Sequence, residues 1–116
     1  MKFVGLSKTF SLENEDQYNT IGLFYDEMSL LYGLENLIGL GYKWEDGKIF
    51  YAIGLKQGVM KEANFCIELP DDGWFIVEGK TDNLKALYYE IYKSGPLKYE
   101  IETFTLDGNC KIKYYR

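Results

Sequence analysis

The feature that most constrains the fold is a turn motif that occurs twice, each time after the same succession of elements. Asp46-Gly47 is flanked by two runs of strand-forming residues, and Asp107-Gly108 is flanked by two more. An Asp-Gly pair favours a tight hairpin turn, because glycine readily adopts the positive φ that such a turn requires. A helical pattern of apolar residues precedes each hairpin, so the sequence indicates two copies of one strand–helix–strand–strand unit.

Periodicity and turn residues predict where the elements lie. Apolar residues at helical spacing predict one helix over residues 17–32 and a second that begins at Thr81 or Asp82 and ends at Ser94. Alternating and β-branched runs predict strands, and the turn chemistry of residues 70–73 separates two of them. The predicted strands cover residues 2–10, 40–46, 48–55, 64–69, 73–79, 98–106 and 109–115.

These elements predict an α+β fold in a single domain of residues 1–116, made of two pseudo-repeats at about 1–57 and 62–116. Neither half has enough partners to bury its helix alone, so we expect one antiparallel sheet with both helices on one face. A ligand cleft is expected on the other face, with the seam between the halves as the alternative position. Chance similarity of two hairpins is the competing explanation of the repeat.

Several residue types and motifs that particular functions require are missing from the sequence, and their absence excludes classes of function. The chain has no histidine and a net charge of −5, which removes the usual general base and argues against a nucleic-acid-binding surface. Cys66 and Cys110 have no metal-binding spacing and are predicted to be free thiols. The sequence has no phosphate-binding loop, nucleophile–base pair or membrane-spanning stretch. We therefore expect a cytoplasmic binding protein rather than an enzyme, without metal or cofactor, that binds neither nucleic acid nor a membrane.

Aromatic residues are abundant, with 11 Tyr, 7 Phe and 2 Trp, and they suit either a half-wet cleft or the pleated faces of a sheet. Strand alternation places Glu102 and Phe104 on one face and Ile101 on the other. If Ile101 meets the helices, Glu102 lies in the cleft beside Tyr115. A partly desolvated carboxylate there, with Trp74 nearby, attracts bulky cations. The alternative is that Glu102 is an ordinary exposed strand residue.

Two further aromatic residues have weaker signals. Trp44 lies two residues before the first Asp-Gly turn and is interpreted as hairpin packing, with a wall of the groove as the alternative. Tyr51 is followed by the small residues Ala52 and Gly54, which admit either a ligand or the close approach of a helix.

Four segments together resemble the GyrI-like, or AraC-type effector-binding, family of small-molecule-binding domains. In chain order they read FVGLSKTFSLEN, KIFYAIGL, IELPDDGWFIVEGK and YEIETFTLDG, and they span nearly the whole chain. The resemblance implies two strand–helix–strand–strand modules around a cleft. In family members that serve multidrug-sensing regulators, this cleft binds hydrophobic cations through a buried glutamate and surrounding aromatic side chains.

The resemblance also implies which residues form the site. Glu102, in YEIETF, matches the family's late-strand glutamate, which favours the cleft position over the exposed one. In the first helix, where many members have Trp, this chain has Phe24-Tyr25, and the resemblance implies that these two residues line the cleft. The remaining implied cleft residues are Phe104, Tyr115, Tyr51 and Trp74.

Three functions follow from the resemblance. The leading one is binding of lipophilic, cationic, drug-like molecules by a stand-alone sensor or sequestering protein, since a chain that begins at the first strand has no room for the helix-turn-helix unit of the related regulators. The second is hydrolysis of cyclopropane-containing toxins, with Glu102 and Tyr115 positioning water. The third is protein binding, as in the gyrase-inhibitor relatives. The expected protein partners are a second copy, through the second helix, or a separate regulator.

Overall fold

Two helices form where apolar residues recur at helical spacing. Helix α1 spans Gln17–Tyr32, which matches the predicted helix, and α2 spans Leu84–Lys93. Short 3-10 turns at Glu13–Glu15 and Thr81–Asn83 precede them. Neither helix is long and apolar enough to cross a membrane.

All 116 residues are described by the computed structural model, and its strands form one antiparallel sheet. The predicted α+β class is confirmed, with both helices packed against the same face. The strands are β1 (Lys2–Ser11), β2 (Leu37–Glu45), β3 (Lys48–Leu55), β4 (Phe65–Glu68), β5 (Phe75–Lys80), β6 (Tyr99–Phe104) and β7 (Asn109–Tyr115).

The strand order shows the predicted repeat. The sheet runs β4-β1-β3-β2-β6-β7-β5, so the first half contributes β1-β3-β2 and the second contributes β6-β7-β5 in mirrored order. The two halves meet where β2 pairs with β6, with Leu40 opposite Ile101. Strand β4 has no counterpart in the first half and extends the β1 edge. The seam between β2 and β6 therefore lies at the centre of the sheet.

The two Asp-Gly turns differ in tightness. Asp46 and Gly47 have φ values of 52° and 72° and alone connect β2 to β3, as a two-residue hairpin requires. In the second half, β6 ends at Phe104, and four residues, 105–108, separate it from β7. The loop of the second hairpin is therefore two residues longer than the sequence predicts, and it lines one end of a cavity between the helices and the sheet.

The sheet has two apolar faces, and only one of them is covered by helices. On that face, α1 packs its Phe24 and Met28 against β3, while α2 packs Ile91 against Ile112 of β7. The other face carries a smaller cluster that includes Ile101. The expectation that Ile101 meets the helices is wrong, and Glu102, one residue further along β6, points toward them instead.

Candidate functional site

A cavity of about 750 Å³ lies between the two helices and the central strands, over the seam between the halves. Its volume is within the range of small-molecule sites. The cleft therefore lies on the same face as the helices, at the seam, and the expectation of a cleft on the opposite face is wrong. The reason is that α1 and α2 each cover their own half of the sheet, and the strip between them stays open. Aromatic and acidic side chains make up much of the lining of the cavity: Tyr18, Tyr25, Asp26, Trp44, Tyr51, Asp82, Tyr88, Tyr92, Glu100, Glu102 and Phe104.

Glu102 lies on the floor of the cavity and is only 4% exposed. The Tyr51 hydroxyl donates to its Oε1, and the Tyr88 hydroxyl donates to its Oε2 over 2.5 Å. Tyr25 shares a 2.7 Å hydrogen bond with Tyr51 and extends this network to α1. Burial raises the pKa of Glu102, while the hydrogen bonds from Tyr51 and Tyr88 act in the opposite direction. Strand β3 and both helices thus hold one carboxylate through phenol groups.

A second carboxylate lies two residues before Glu102 on β6. Glu100 is 3% exposed, and its Oε2 accepts one hydrogen bond of 2.7 Å, from the Tyr92 hydroxyl of α2. Burial and the nearby Glu102 charge raise the pKa of Glu100 to about 8, against the opposing effect of Tyr92. Glu100 is not among the residues that the sequence predicts for the site. Strand alternation was the available signal, because residues two apart on a strand share a face.

Two glycines of β2 make room for the carboxylates. Gly39 pairs with Glu102, and Gly41 pairs with Glu100. A Cβ at position 41 would lie 2.8 Å from the Glu100 carboxylate oxygen. A Cβ at position 39 would lie 1.9 Å from the Tyr25 hydroxyl and 2.1 Å from the Tyr51 hydroxyl. The space above β2 that these side chains would fill is occupied by the acidic pair and its phenol groups.

The acidic pair has no positive partner. None of the residues that line the cavity is Lys, Arg or His, and every ion pair of the molecule lies elsewhere. Two more carboxyl-bearing residues, Asp26 and Asp82, also line the cavity. A buried carboxylate without a counter-charge is costly, and buried charges in proteins are normally paired. The cavity therefore holds acidic groups that no positively charged side chain balances.

Aromatic side chains form much of the wall. Tyr25 and Phe104 meet edge to face, with ring centroids 5.0 Å apart. Trp44 also lines the cavity, although the sequence indicated hairpin packing for it. A bulge in β2 accounts for this position: the register shifts between Gly41 and Lys43, so Trp44 pairs with Ile49. An extra residue in a strand reverses the faces that follow it.

The structure brings together four of the seven residues predicted for the site. Glu102, Phe104, Tyr51 and Tyr25 all line the cavity. Phe24, next to Tyr25 on α1, instead packs into the core, with its ring 5.7 Å from that of Phe10.

Trp74 and Tyr115 lie on the opposite face of the sheet. Their ring centroids are 5.5 Å apart, and both contact Tyr99 there. Glu102 pairs with Ile112 of β7, so Tyr115, three residues further along, points the other way. The predicted positions of Trp74 and Tyr115 beside Glu102 are wrong. The error follows from the assignment of Ile101 to the helix side.

The fold and cavity define a class of protein: an α+β chain of two mirrored halves with an aromatic, acidic cavity of small-molecule size at their seam. No protein-family model and no curated protein matches this chain in sequence. Among solved structures, it is similar to SAV2435 bound to tetraphenylphosphonium, with a TM-score of 0.65 and 14% sequence identity. The match covers 98% of this chain and 87% of that one. At this identity the likeness shows a common fold.

Proposed function

We propose that this protein binds lipophilic organic cations in the seam cavity, with the Glu102 carboxylate as the principal counter-charge. The observation that carries the proposal is the pair of buried carboxylates with no cation in the cavity lining. The further proposed ligand contacts are Tyr51, Tyr25 and Phe104, which share the cavity with Glu102. The role fits the ligand-binding proteins of the GyrI-like family that the sequence resembles.

A buried acidic pair without a counter-charge is energetically unfavourable, and a cation relieves that cost. Removing a carboxylate from water is unfavourable when no opposite charge accompanies it, and an entering cation removes that penalty while expelling water from the apolar walls. Aromatic faces add cation–π and dispersion attraction, which depend weakly on ligand shape. The combination favours bulky cations as a class rather than one particular molecule.

The structural likeness supports the same ligand class. SAV2435, which has the same fold, was solved bound to tetraphenylphosphonium, a large and permanently charged aromatic cation. For the present chain, the buried acidic pair and the aromatic walls supply the chemistry that such a ligand requires.

The hydrolase alternative has less support. It relied on Glu102 and Tyr115 acting together, and these side chains point to opposite faces of the sheet. Mass spectrometry of recovered ligand separates the two functions, because a binding protein returns the ligand unchanged.

The test is titration calorimetry with tetraphenylphosphonium and with tetraphenylborate, an anion of nearly the same size and shape. We expect the phosphonium to bind and the borate not to bind. Glu102→Gln keeps the shape of the side chain but removes its charge, so phosphonium affinity should fall about 30-fold or more. Glu78→Gln is the matched control, because Glu78 is exposed on β5, and it should bind as the unmodified protein does. Equal binding of both ions, or full phosphonium affinity in Glu102→Gln, would refute the proposal.

A further inference from the structure

The two buried carboxylates differ in their hydrogen bonding, and the difference bears on ligand selection. Both oxygens of Glu102 accept a phenol hydrogen bond, from Tyr51 and Tyr88. Glu100 accepts only one, from Tyr92 on Oε2. Its Oε1 accepts no hydrogen bond and is not completely buried. The unpaired oxygen of Glu100 therefore retains access to the cavity, which Glu100 lines.

We propose that Glu100 is a second subsite, which selects organic cations that carry N–H donors, such as protonated amines, over cations of the same body that carry none. This inference rests on the proposed function of the cavity and specifies its ligand class. Glu102, whose oxygens already have donors, supplies negative charge to any cation. Glu100 supplies charge and, in addition, a free acceptor that only an N–H group satisfies.

The surroundings of Glu100 agree with this role. Because residue 41 is glycine, there is room for the Glu100 carboxylate above β2, where the Cβ of any larger residue would clash with it. The backbone of β2 therefore fixes the position of this acceptor. An ionised carboxylate has about four acceptor positions, and Tyr92 occupies one of them. At neutral pH the raised pKa of Glu100 keeps a large share of it protonated, and a charged N–H donor stabilises the ionised form. A quaternary or phosphonium centre has no proton to donate.

The experiment uses a matched pair of probes, 3,3-diphenylpropylammonium and its N,N,N-trimethyl derivative, measured by calorimetry at pH 7. The quantity of interest is the ratio of the two affinities in each protein, because the probes differ in hydration before they bind. We expect Glu100→Gln to shift this ratio about tenfold against the primary ammonium, as loss of a hydrogen bond between charged groups predicts. Glu102→Gln should weaken both probes and leave the ratio within about twofold.

A second variant distinguishes the effect of the negative charge at position 100 from the effect of the position of its carboxylate. Glu100→Asp keeps the negative charge but withdraws the carboxylate by one methylene, so it should lose the selectivity while holding the trimethylammonium affinity. Thermal unfolding of each variant establishes that it is folded. A ratio that is the same in the unmodified protein and in Glu100→Gln overturns the subsite. If tetraphenylphosphonium still binds through Glu102 in that case, the proposed function survives, whereas absence of binding by all three cations removes both proposals.

Discussion

At the scale of single residues, Glu100 and Glu102 oppose stability in the absence of a ligand. Both are buried, both have raised pKa values, and the donors that reach them are neutral phenols. Burial without counter-charge penalises the ionised form of each carboxyl group. The structure tolerates this penalty at the seam, where a positively charged ligand would relieve it.

A pH dependence of stability follows from these two groups. Because the pKa of Glu100 rises from 4.5 to about 8 on folding, the native state holds more protons than the unfolded chain between these values. Stability should therefore fall as pH rises from about 5 to 8, opposite to the usual effect of paired carboxylates. Thermal unfolding across this range measures the slope.

Glu100→Gln supplies the comparison for that slope. The variant cannot ionise at position 100, so its melting temperature should fall less between pH 5 and pH 8 and should exceed that of the unmodified protein at pH 8. Glu78→Gln, which changes an exposed side chain, should keep the original slope. A melting temperature that rises steadily toward pH 8 in the unmodified protein would contradict the raised pKa.

The two tryptophans should report differently on ligand binding. Trp44 lines the cavity, and Trp74 lies on the opposite face, where its indole N–H donates to the Pro70 carbonyl over 2.8 Å. A bound aromatic cation should quench Trp44 fluorescence directly. Trp74→Phe should therefore keep the ligand-dependent change, and Trp44→Phe should lose it. Loss of the signal in Trp74→Phe instead would place the ligand on the other face.

At the scale of elements, β2 determines how deep the cavity is. Gly39 and Gly41 lie on the face of β2 that points to the helices, and larger residues alternate with them on the opposite face. The helix-side face of β2 therefore has no side chains beside the two carboxylates of β6. The bulge that follows turns Trp44 onto the same face. One strand thus supplies both the empty floor of the cavity and part of its wall.

Filling that floor should destabilise the protein and block the site. In Gly39→Ala the new methyl group overlaps the hydroxyls of Tyr25 and Tyr51, and overpacking of this kind costs about 1–3 kcal/mol. Cation affinity should fall as well, because the phenol network on Glu102 is displaced. Urea denaturation and phosphonium titration measure the two effects.

The control for stability is Gly22→Ala on α1. Gly22 itself lines the cavity, so this variant is compared in unfolding and not in cation affinity. A Cβ there meets nothing within 4 Å, and alanine stabilises a helix interior by about 1 kcal/mol relative to glycine. This variant should therefore be more stable than the unmodified protein. If Gly39→Ala proved equally stabilising, the packing that we describe above β2 would be incorrect.

At the scale of the whole molecule, the two halves are joined by the central sheet far more than by their helices. Across the cavity, the helical side is bridged by an ion pair between Glu15 and Lys85, 2.5 Å long and largely exposed. The rings of Tyr18 and Tyr88 lie beside this ion pair, with their centroids 6.4 Å apart. An exposed ion pair contributes about 0–1 kcal/mol. Besides this ion pair, Tyr18 of α1 packs against Tyr88 of α2, so the two helices also touch beside the cavity.

Ligand binding should tie the two helices together. Tetraphenylphosphonium at one hundred times its dissociation constant should stabilise the native state by about 2.7 kcal/mol, with a corresponding rise in melting temperature. Hydrogen exchange should slow in both α1 and α2, since side chains of both helices line the cavity. Glu102→Gln, with an affinity lower by about 30-fold or more, should be stabilised by less than about 1 kcal/mol at the same concentration and should show correspondingly weaker protection. Protection confined to one helix would contradict a site shared by the two halves.

Much of this architecture follows from the sequence alone. The apolar spacing within residues 17–32 defines α1, and Asp46-Gly47 defines the first hairpin, because both signals are local and depend on backbone geometry. The repeat of these signals predicts the two halves. Alternation along β6 also separates Glu100 and Glu102 from Ile101 without any tertiary information.

Tertiary structure alone decides which face those carboxylates occupy. Both faces of the sheet are apolar, so alternation divides the side chains into two sets but does not say which set the helices cover. The predicted positions of Trp74 and Tyr115 are wrong for this reason. For Trp44 the sequence favours hairpin packing over a wall of the groove, and the one-residue bulge that turns it toward the cavity is visible only in the structure. The cavity itself arises where two helices, each packed on its own half, leave the seam between them open. That gap depends on the packing of elements distant in the chain, and local sequence patterns do not encode it.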